Sequence, residues 1–213
     1  MAAEATIYVM ESANVICGLS GGKSAPGIST HLVLQELKLP TLEENYVDHA
    51  PAGAPIAIEI PTHMNKLEAT FNLAGWDPSI MAFIGQDQPR FQDFTAYGLI
   101  RDRRTSRAMQ AIAKMTGRLG RVNPTAFSKG TLQHHEYSIK SIVAYSLTIE
   151  LTAGNQAEIY WWDFFTSVRR IGGRDLNADM LRTLAIPATV TNQPAITGSG
   201  ISDFDPLSQL SNA

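Results

Sequence analysis

The sequence predicts a mainly β protein with two short helices. Three observations carry that prediction. One long segment alternates polar and apolar residues with period two, several shorter segments do the same, and only two places combine helix-starting residues with an apolar helical stripe.

The long segment is 137–151, YSIKSIVAYSLTIEL. Its odd positions include Tyr137, Ile139, Val143, Tyr145, Leu147, Ile149 and Leu151, whereas Ser138, Lys140, Ser146, Thr148 and Glu150 fall on even ones. Successive side chains of a strand point to opposite faces, so one face is expected to be buried and the other wet. Fifteen residues at roughly 3.3 Å each reach about 50 Å, which calls for a tall sheet. Leu67, Ala69, Phe71 and Leu73 alternate with Lys66, Glu68, Thr70 and Asn72, and Ile56, Ile58 and Ile60 alternate with Ala57 and Glu59. Both read as strands with one apolar face. Weaker strand signals lie at 6–10, 32–39, 94–101 and 157–162.

The first helix is expected after Asp77-Pro78, an N-cap followed by proline at the first helical position. Ile80, Met81 and Ile84 share its face, and Gly85 ends it. The second is expected after Asp175, with Leu176, Met180 and Leu184 as its apolar stripe and Pro187 as its stop. Residues 106–119, SRAMQAIAKMTGRL, fit a helical face through Ala108, Ile112, Met115 and Leu119, but also a strand through Met109, Ala111, Ala113 and Met115. Propensity favours helix there. Residues 18–31, 40–55 and 122–136 read as loops from their Gly, Ser and Pro content. Residues 187–213 contain no Lys or Arg and few large apolar groups, a composition that folds only against a partner.

Composition narrows the functional classes. The chain has 213 residues, 44% hydrophobic and 17% charged, enough for one domain with a real core. A net charge of −3 argues against a dedicated nucleic-acid binder. The single cysteine, Cys17, excludes an intramolecular disulfide and a cysteine-based zinc site. The opening MAAEATIYVM lacks a basic region before a long apolar stretch, so no signal peptide is expected, and no run approaches the ~18 apolar residues of a membrane span.

No motif for catalysis stands up. Residues 17–24, CGLSGGKS, resemble a phosphate-binding loop, but Cys17 occupies its first glycine position and Pro26-Gly27 follows where a helix must start. His134, His135 and Glu136 suggest a metal, yet neighbours on a strand face opposite ways, and His31, His49 and His63 lack ligand spacing. No G-x-S-x-G or H-E-x-x-H occurs, and Cys17 has no identifiable base. Neither a cofactor nor a metal is expected.

Charge says more. Arg101, Arg103, Arg104, Arg107, Lys114, Arg118 and Arg121 face only Asp102 within 101–121, whereas Glu43, Glu44, Asp48 and Glu59 make 43–59 acidic. Either both regions are solvated surface, or they meet across a subunit boundary where opposite charges fix orientation. The second reading makes Glu43, Glu44, Asn45, Tyr46, Asp48, Arg101, Arg103, Arg104, Arg107, Arg118 and Arg121 the candidate interface.

The order of these pieces resembles the major tail tube proteins of contractile-tailed phages. The pieces are ELKLP at 36–40, TLEENYVDHAPAGAPIAIEI at 41–60, KLEATFNLAG at 66–75, WDPSIMAFIG at 76–85, tall strands around 94–121 and 137–151, and VRRIGGRDLNADMLRTLAI at 168–186. The loop 18–31 looks like an insertion, and 187–213 extends past the family's usual end. The resemblance divides the chain into a tail tube domain at 1–186 and a C-terminal extension. It also favours strand for 106–119, since pairing and burial override propensity.

That resemblance implies a β-barrel or sandwich-like domain that forms stacked hexameric rings and contributes long strands to a shared inner barrel. It implies a non-enzymatic structural subunit of the virion tail, assembled in the host cytoplasm. A sheath protein would lie outside, and the tape-measure protein and transiting DNA would occupy the lumen without specific binding. No stable membrane association is implied. A lumen that passes DNA must not hold it, so most of Arg101–Arg121 are expected to point away from it. Loop 40–55 and the tail are expected to touch neighbouring copies. The remaining readings are a tube subunit of a phage-tail-like bacteriocin or type VI-like secretion apparatus, a carbohydrate-binding β-sandwich using Trp76, Tyr160, Trp161 and Trp162, and an unrecognised hydrolase.

Overall fold

The computed structural model describes residues 7–19, 27–50, 52–53, 55–85, 91–126, 128–152 and 155–186. In chain order these form β1 (Tyr8–Leu19), β2 (Ile28–Ser29), β3 (Leu34–Lys38), β4 (Glu44–His49), β5 (Ile58–Met64), β6 (Ala69–Ala74), α1 (Pro78–Met81), β7 (Gln92–Asp102), β8 (Ala108–Pro124), β9 (His134–Thr152), β10 (Asn155–Asp163), β11 (Val168–Ile171), β12 (Arg174–Asp175) and α2 (Ala178–Thr183). The fold is mainly β, antiparallel throughout the paired strands, with two short helices.

Ten strands share one sheet, ordered β12-β11-β10-β9-β8-β7-β1-β2, with β6 on β9 and β3 on β6. β9 makes this branching possible. One edge of it pairs with β8, and its other edge serves β6 over Ile139–His134 and β10 over Thr152–Ala144. Between those two stretches the ladder is broken. Arg118 lies opposite Lys140 and Thr116 opposite Ala144, and Ser141 takes a left-handed φ of 49°. A bulge bends its strand, so the β6–β3 wing turns over the sheet while the β10–β12 wing runs on. Gly117 sits at this bend because a Cβ there would lie 3.0 Å from the Lys140 carbonyl oxygen.

The β6–β3 wing returns to β1 through Thr30. Its backbone N–H donates to the Val15 carbonyl at 3.0 Å, and its hydroxyl oxygen accepts from the Val15 N–H at 3.1 Å. The result is an incomplete barrel around one core of Val15, Cys17, Phe71, Leu73, Ile80, Phe94, Met115, Leu119, Tyr137 and Ile139. Phe71 stacks on Tyr137 with ring centroids 5.1 Å apart. Asp77 caps α1 by accepting from the N–H groups of Ser79 at 2.9 Å and Ile80 at 3.2 Å, which aims Ile80 into the core.

Of residues 106–119, all from Ala108 onward are strand. Met109, Ala111, Ala113, Met115, Gly117 and Leu119 are buried on one side, so the period-two pattern prevails over helix propensity. Several expectations need correction. Residues 44–49, read as loop, form β4 because β5 supplies a ladder partner distant in sequence. Ile56, Ile58 and Ile60, expected to bury a face, are exposed. The stripe Leu176, Met180 and Leu184 faces outward, and α2 is anchored by Leu181. Asp175 does not cap that helix; it accepts from the Asn177 N–H at 2.9 Å in the turn before it. The loop expected at 18–31 is strand at both margins, through the end of β1 and β2, and its residues 20–26 lie outside the described residues, as does the expected tail 187–213.

Replacing Phe71 with alanine is expected to cost about 3–5 kcal/mol, because the Tyr137 ring loses its stacking partner inside a packed core. Denaturant unfolding of the dissociated subunit measures it.

Candidate functional site

The surfaces that remain open after the chain has folded are its margins, one wet face, and a projecting hairpin. The margins at the two ends of the main run are β2, which bonds β1 through Ile16–Cys17, and β12, which bonds β11 through Arg170–Ile171. Each is only two residues long, and β3, paired with β6 alone, ends the side branch. An open edge presents N–H and C=O groups that a further strand can satisfy.

The wet face is the side opposite the core. Ladder pairing places Ile16, Thr95, Lys114, Ser146, Trp161 and Arg170 in one row across it, and Asn14, Tyr97, Ile112, Thr148 and Glu158 in the next. Arg170 forks onto Glu158, with Nε to Oε1 at 3.0 Å and Nη2 to Oε2 at 2.9 Å, and its guanidinium lies 4.9 Å from the Trp161 ring centroid. Asp93, Glu150 and Asp163 add negative charge to this face, and Lys114 and Arg118 add positive charge.

The acidic candidates gather on the β4–β5 hairpin. Glu43 accepts from the Asn65 side chain at 3.0 Å, and Asn45 donates to the Asn65 side chain at 2.8 Å. Tyr46 donates to Glu44 at 3.2 Å; that bond, with the carboxylate charge, raises the phenol's pKa. Asp48 stands directly opposite Glu59. Arg101, Arg103, Arg104 and Arg107 gather at the β7–β8 turn instead. Arg101 Nε donates to both Glu11 oxygens at 2.9 Å, and Arg103 lies 3.6 Å from the same carboxylate. Asp102 shapes the turn by accepting from the Thr105 hydroxyl at 2.6 Å and the Arg104 N–H at 2.8 Å, which hold its carboxyl below the usual range. Arg118 and Arg121 stand apart, toward the other end of β8, with Arg118 over the Phe91 ring at 5.6 Å.

Sequence reasoning missed the turn after β10. Asp163 accepts from the N–H groups of Phe165 at 2.8 Å and Thr166 at 3.1 Å, so the turn holds Phe164 and Phe165 in the open. The signal was the Asp-x-Phe spacing next to a strand end, which fits an Asx turn.

The chemistry is sparse. Among the described residues no group of three or more His, Cys, Asp or Glu is placed to hold a metal. His134 and His135 face opposite ways; His134 touches Gln35 at the surface and His135 packs on Trp76, ring centroids 4.3 Å apart. Cys17 is fully buried, and burial, with a smaller contribution from the Asp77 carboxylate, pushes its thiol from 9.0 to about 12. A thiol held protonated there is a core side chain.

The family model for phage tail tube protein FII matches residues 26–184. The chain belongs to the phage tail tube protein FII family. It is a structural subunit of a tail tube, a component of a virion or a phage-tail-like particle. The carbohydrate-binding and hydrolase readings give way to that assignment.

Solved structures similar to this tail tube protein include a chain of the sheath–tube complex of an extracellular contractile injection system, PVC, in its extended state. It is 8% identical, with a TM-score of 0.46 over 64% of this chain and 87% of that one. A chain of the sheath/tube terminator of the same system is 8% identical, with a TM-score of 0.43 over 65% and 93%. A chain of the anti-feeding prophage baseplate is 11% identical, with a TM-score of 0.41 over 69% and 97%. No curated protein matches.

The Cys17 thiol sets a prediction for the tail tube protein. In the unfolded chain the thiol ionises from about pH 9, whereas in the folded one it stays protonated up to about 12. Between those values the unfolded state binds fewer protons, so stability falls as pH rises. Native protein at pH 8 is therefore expected to resist a thiol reagent that labels it quickly in denaturant, and a Cys17→Ala variant is expected to lose stability less steeply above pH 9.

Proposed function

We propose that the protein assembles into six-membered rings stacked as a hollow tube, with a sheath protein outside and the tape-measure protein and then DNA inside. The observation that carries this reading is the sheet with an open margin at each end, β2 and β12, in a chain of the tail tube family. Joining one margin to the other margin of the next copy continues the sheet around a ring. Such a contact is heterologous and closes, and repetition along the axis makes a filament.

The long strands β7–β10 then form the wall, and their wet face lines the bore. Lys114, Arg118, Arg170 and Arg101 on that face are offset by Asp93, Glu150, Glu158, Asp163 and the Glu11 carboxylate that Arg101 holds, so the bore carries no dense cationic field to retain DNA. The other turn arginines are left for subunit contacts. The reading needs no catalysis by this subunit and no cofactor. It takes 1–186 as the assembling domain, with 18–31 an insertion in it, and 187–213 as an extension that contacts neighbours. Assembly would take place in the host cytoplasm, with no stable attachment to membrane.

The candidate interface follows from charge. Glu43, Glu44, Asn45, Tyr46 and Asp48 on the hairpin would meet the basic set Arg101, Arg103, Arg104, Arg107, Arg118 and Arg121 of other copies, the four turn arginines foremost.

Size-exclusion chromatography with negative-stain electron microscopy tests the reading: rings or tubes are expected, and a stable monomer at high concentration contradicts it. Arg103→Glu with Arg104→Glu is expected to abolish or sharply weaken assembly while the subunit stays folded by circular dichroism; unchanged assembly removes the charge contact. Deleting 187–213 is expected to give tubes that dissociate at lower temperature, and equally stable tubes remove the tail from the contact.

A further inference from the structure

The β4–β5 hairpin has two unlike faces. Its register sets Val47 opposite Ile60 and His49 opposite Ile58, so these four side chains share one face. Tyr46 opposite Pro61 and Asp48 opposite Glu59 share the other. Val47, Ile58 and Ile60 are 57%, 58% and 44% exposed, so the described residues do not cover the apolar face. On the second face two carboxylates oppose each other directly across the ladder, an arrangement that destabilises a strand pair. A two-stranded hairpin is marginal in water even without that burden. The ribbon is shaped to be covered twice, by an apolar surface on one side and a cationic one on the other.

Three exposed apolar patches of the described residues are possible seats. Leu176, Met180 and Leu184 beside α2 are accompanied by Asp175 and Asp179 as well as Arg174 and Arg182, so they offer no net positive charge. Phe164 and Phe165 are held by Asp163. The third patch is Ile7, Tyr8 and Met10 at the start of β1. It adjoins the β7–β8 turn, since the Arg103 N–H donates to the Ile7 carbonyl at 2.9 Å. There Arg101, Arg103, Arg104 and Arg107 outnumber Glu11 and Asp102. This end of the sheet combines an exposed apolar strip with an excess of cations.

We propose that the hairpin inserts between two further copies of this chain, its Val47–Ile58–Ile60 face on the Tyr8–Met10 strip of one and its Asp48–Glu59 face against the Arg103–Arg104 turn of the copy beside it. The proposal rests on the tube reading and adds to it the face of the hairpin that meets each neighbour. Each copy gives one hairpin and helps to form two slots, so the contact is heterologous and propagates. The apolar seat supplies area, and the opposed charges set the side on which the ribbon lies.

Single-cysteine proteins in a Cys17→Ser background test it. Ile58→Cys mixed with Met10→Cys, and Asp48→Cys mixed with Arg103→Cys, are each expected to give an interchain disulfide in the assembled state. The exchanged mixture, Ile58→Cys with Arg103→Cys, is expected to lose it. Equal cross-linking by the exchanged pair overturns the proposal, as does none by either expected pair in tubes that microscopy shows to be intact. Should a variant not assemble, a density map of the wild-type tube decides: Ile58 in contact with Tyr8 or Met10 of another copy supports the proposal, and a hairpin in solvent overturns it. A wild-type protein that stays monomeric overturns the tube reading itself, whereas tubes without this contact overturn only the present inference.

Discussion

Backbone hydrogen bonding is the constraint on which the rest of this structure depends. In the ten-stranded sheet β1 and β6 to β11 have ladder partners on both sides, though β1 only over Ile16–Cys17 on its outer side, whereas β2, β3 and β12 are paired on one side alone. A soluble monomer with such margins usually blunts them with charge, proline or a covering segment. Here β2 and β12 are short; the 12-residue β1 stands directly behind β2, and the four-residue β11 behind β12. On the proposed tube reading, neighbouring copies complete the secondary structure of this subunit.

The bend at Gly117 and Ser141 gives this sheet its division of labour. Below it, β6 and β3 fold over β9 and enclose Phe71, Tyr137 and Ile139. Beyond it, the same strand β9 pairs with β10 and keeps a wet face on one side. One strand of 19 residues thus belongs to a closed core at one end and to an open wall at the other. A single continuous ladder would have supplied one or the other.

Much of this was legible in the sequence. The alternation in 137–151 and in 66–73 named the core residues Tyr137, Ile139, Leu67, Ala69, Phe71 and Leu73, because burial on one face of a strand imposes period two directly. Asp77-Pro78 marked α1 through local capping chemistry. The misreadings share a cause, which is that nothing local in the sequence decides pairing or facing. The segment 44–49 looks like loop until β5 is placed beside it, and the isoleucines of that hairpin look like core residues because nothing local says they face outward. At α2, Leu176, Met180 and Leu184 have faultless spacing, yet Leu181, outside that stripe, is the side chain that meets the fold. In both places the apolar pattern was real and the described residues leave it exposed. The candidate interface was legible as two opposite charge clusters; the register added that the acidic one has an apolar reverse side.

The central claim is that copies of the chain complete each other's sheet margins. Hydrogen exchange at the amides of β2 and of β11–β12, compared between the assembled and the dissociated protein, tests it most directly. The account predicts slow exchange at both margins in the assembly, matching the interior strands β8 and β9, and fast exchange after dissociation. Margins that exchange equally fast in both states would contradict it.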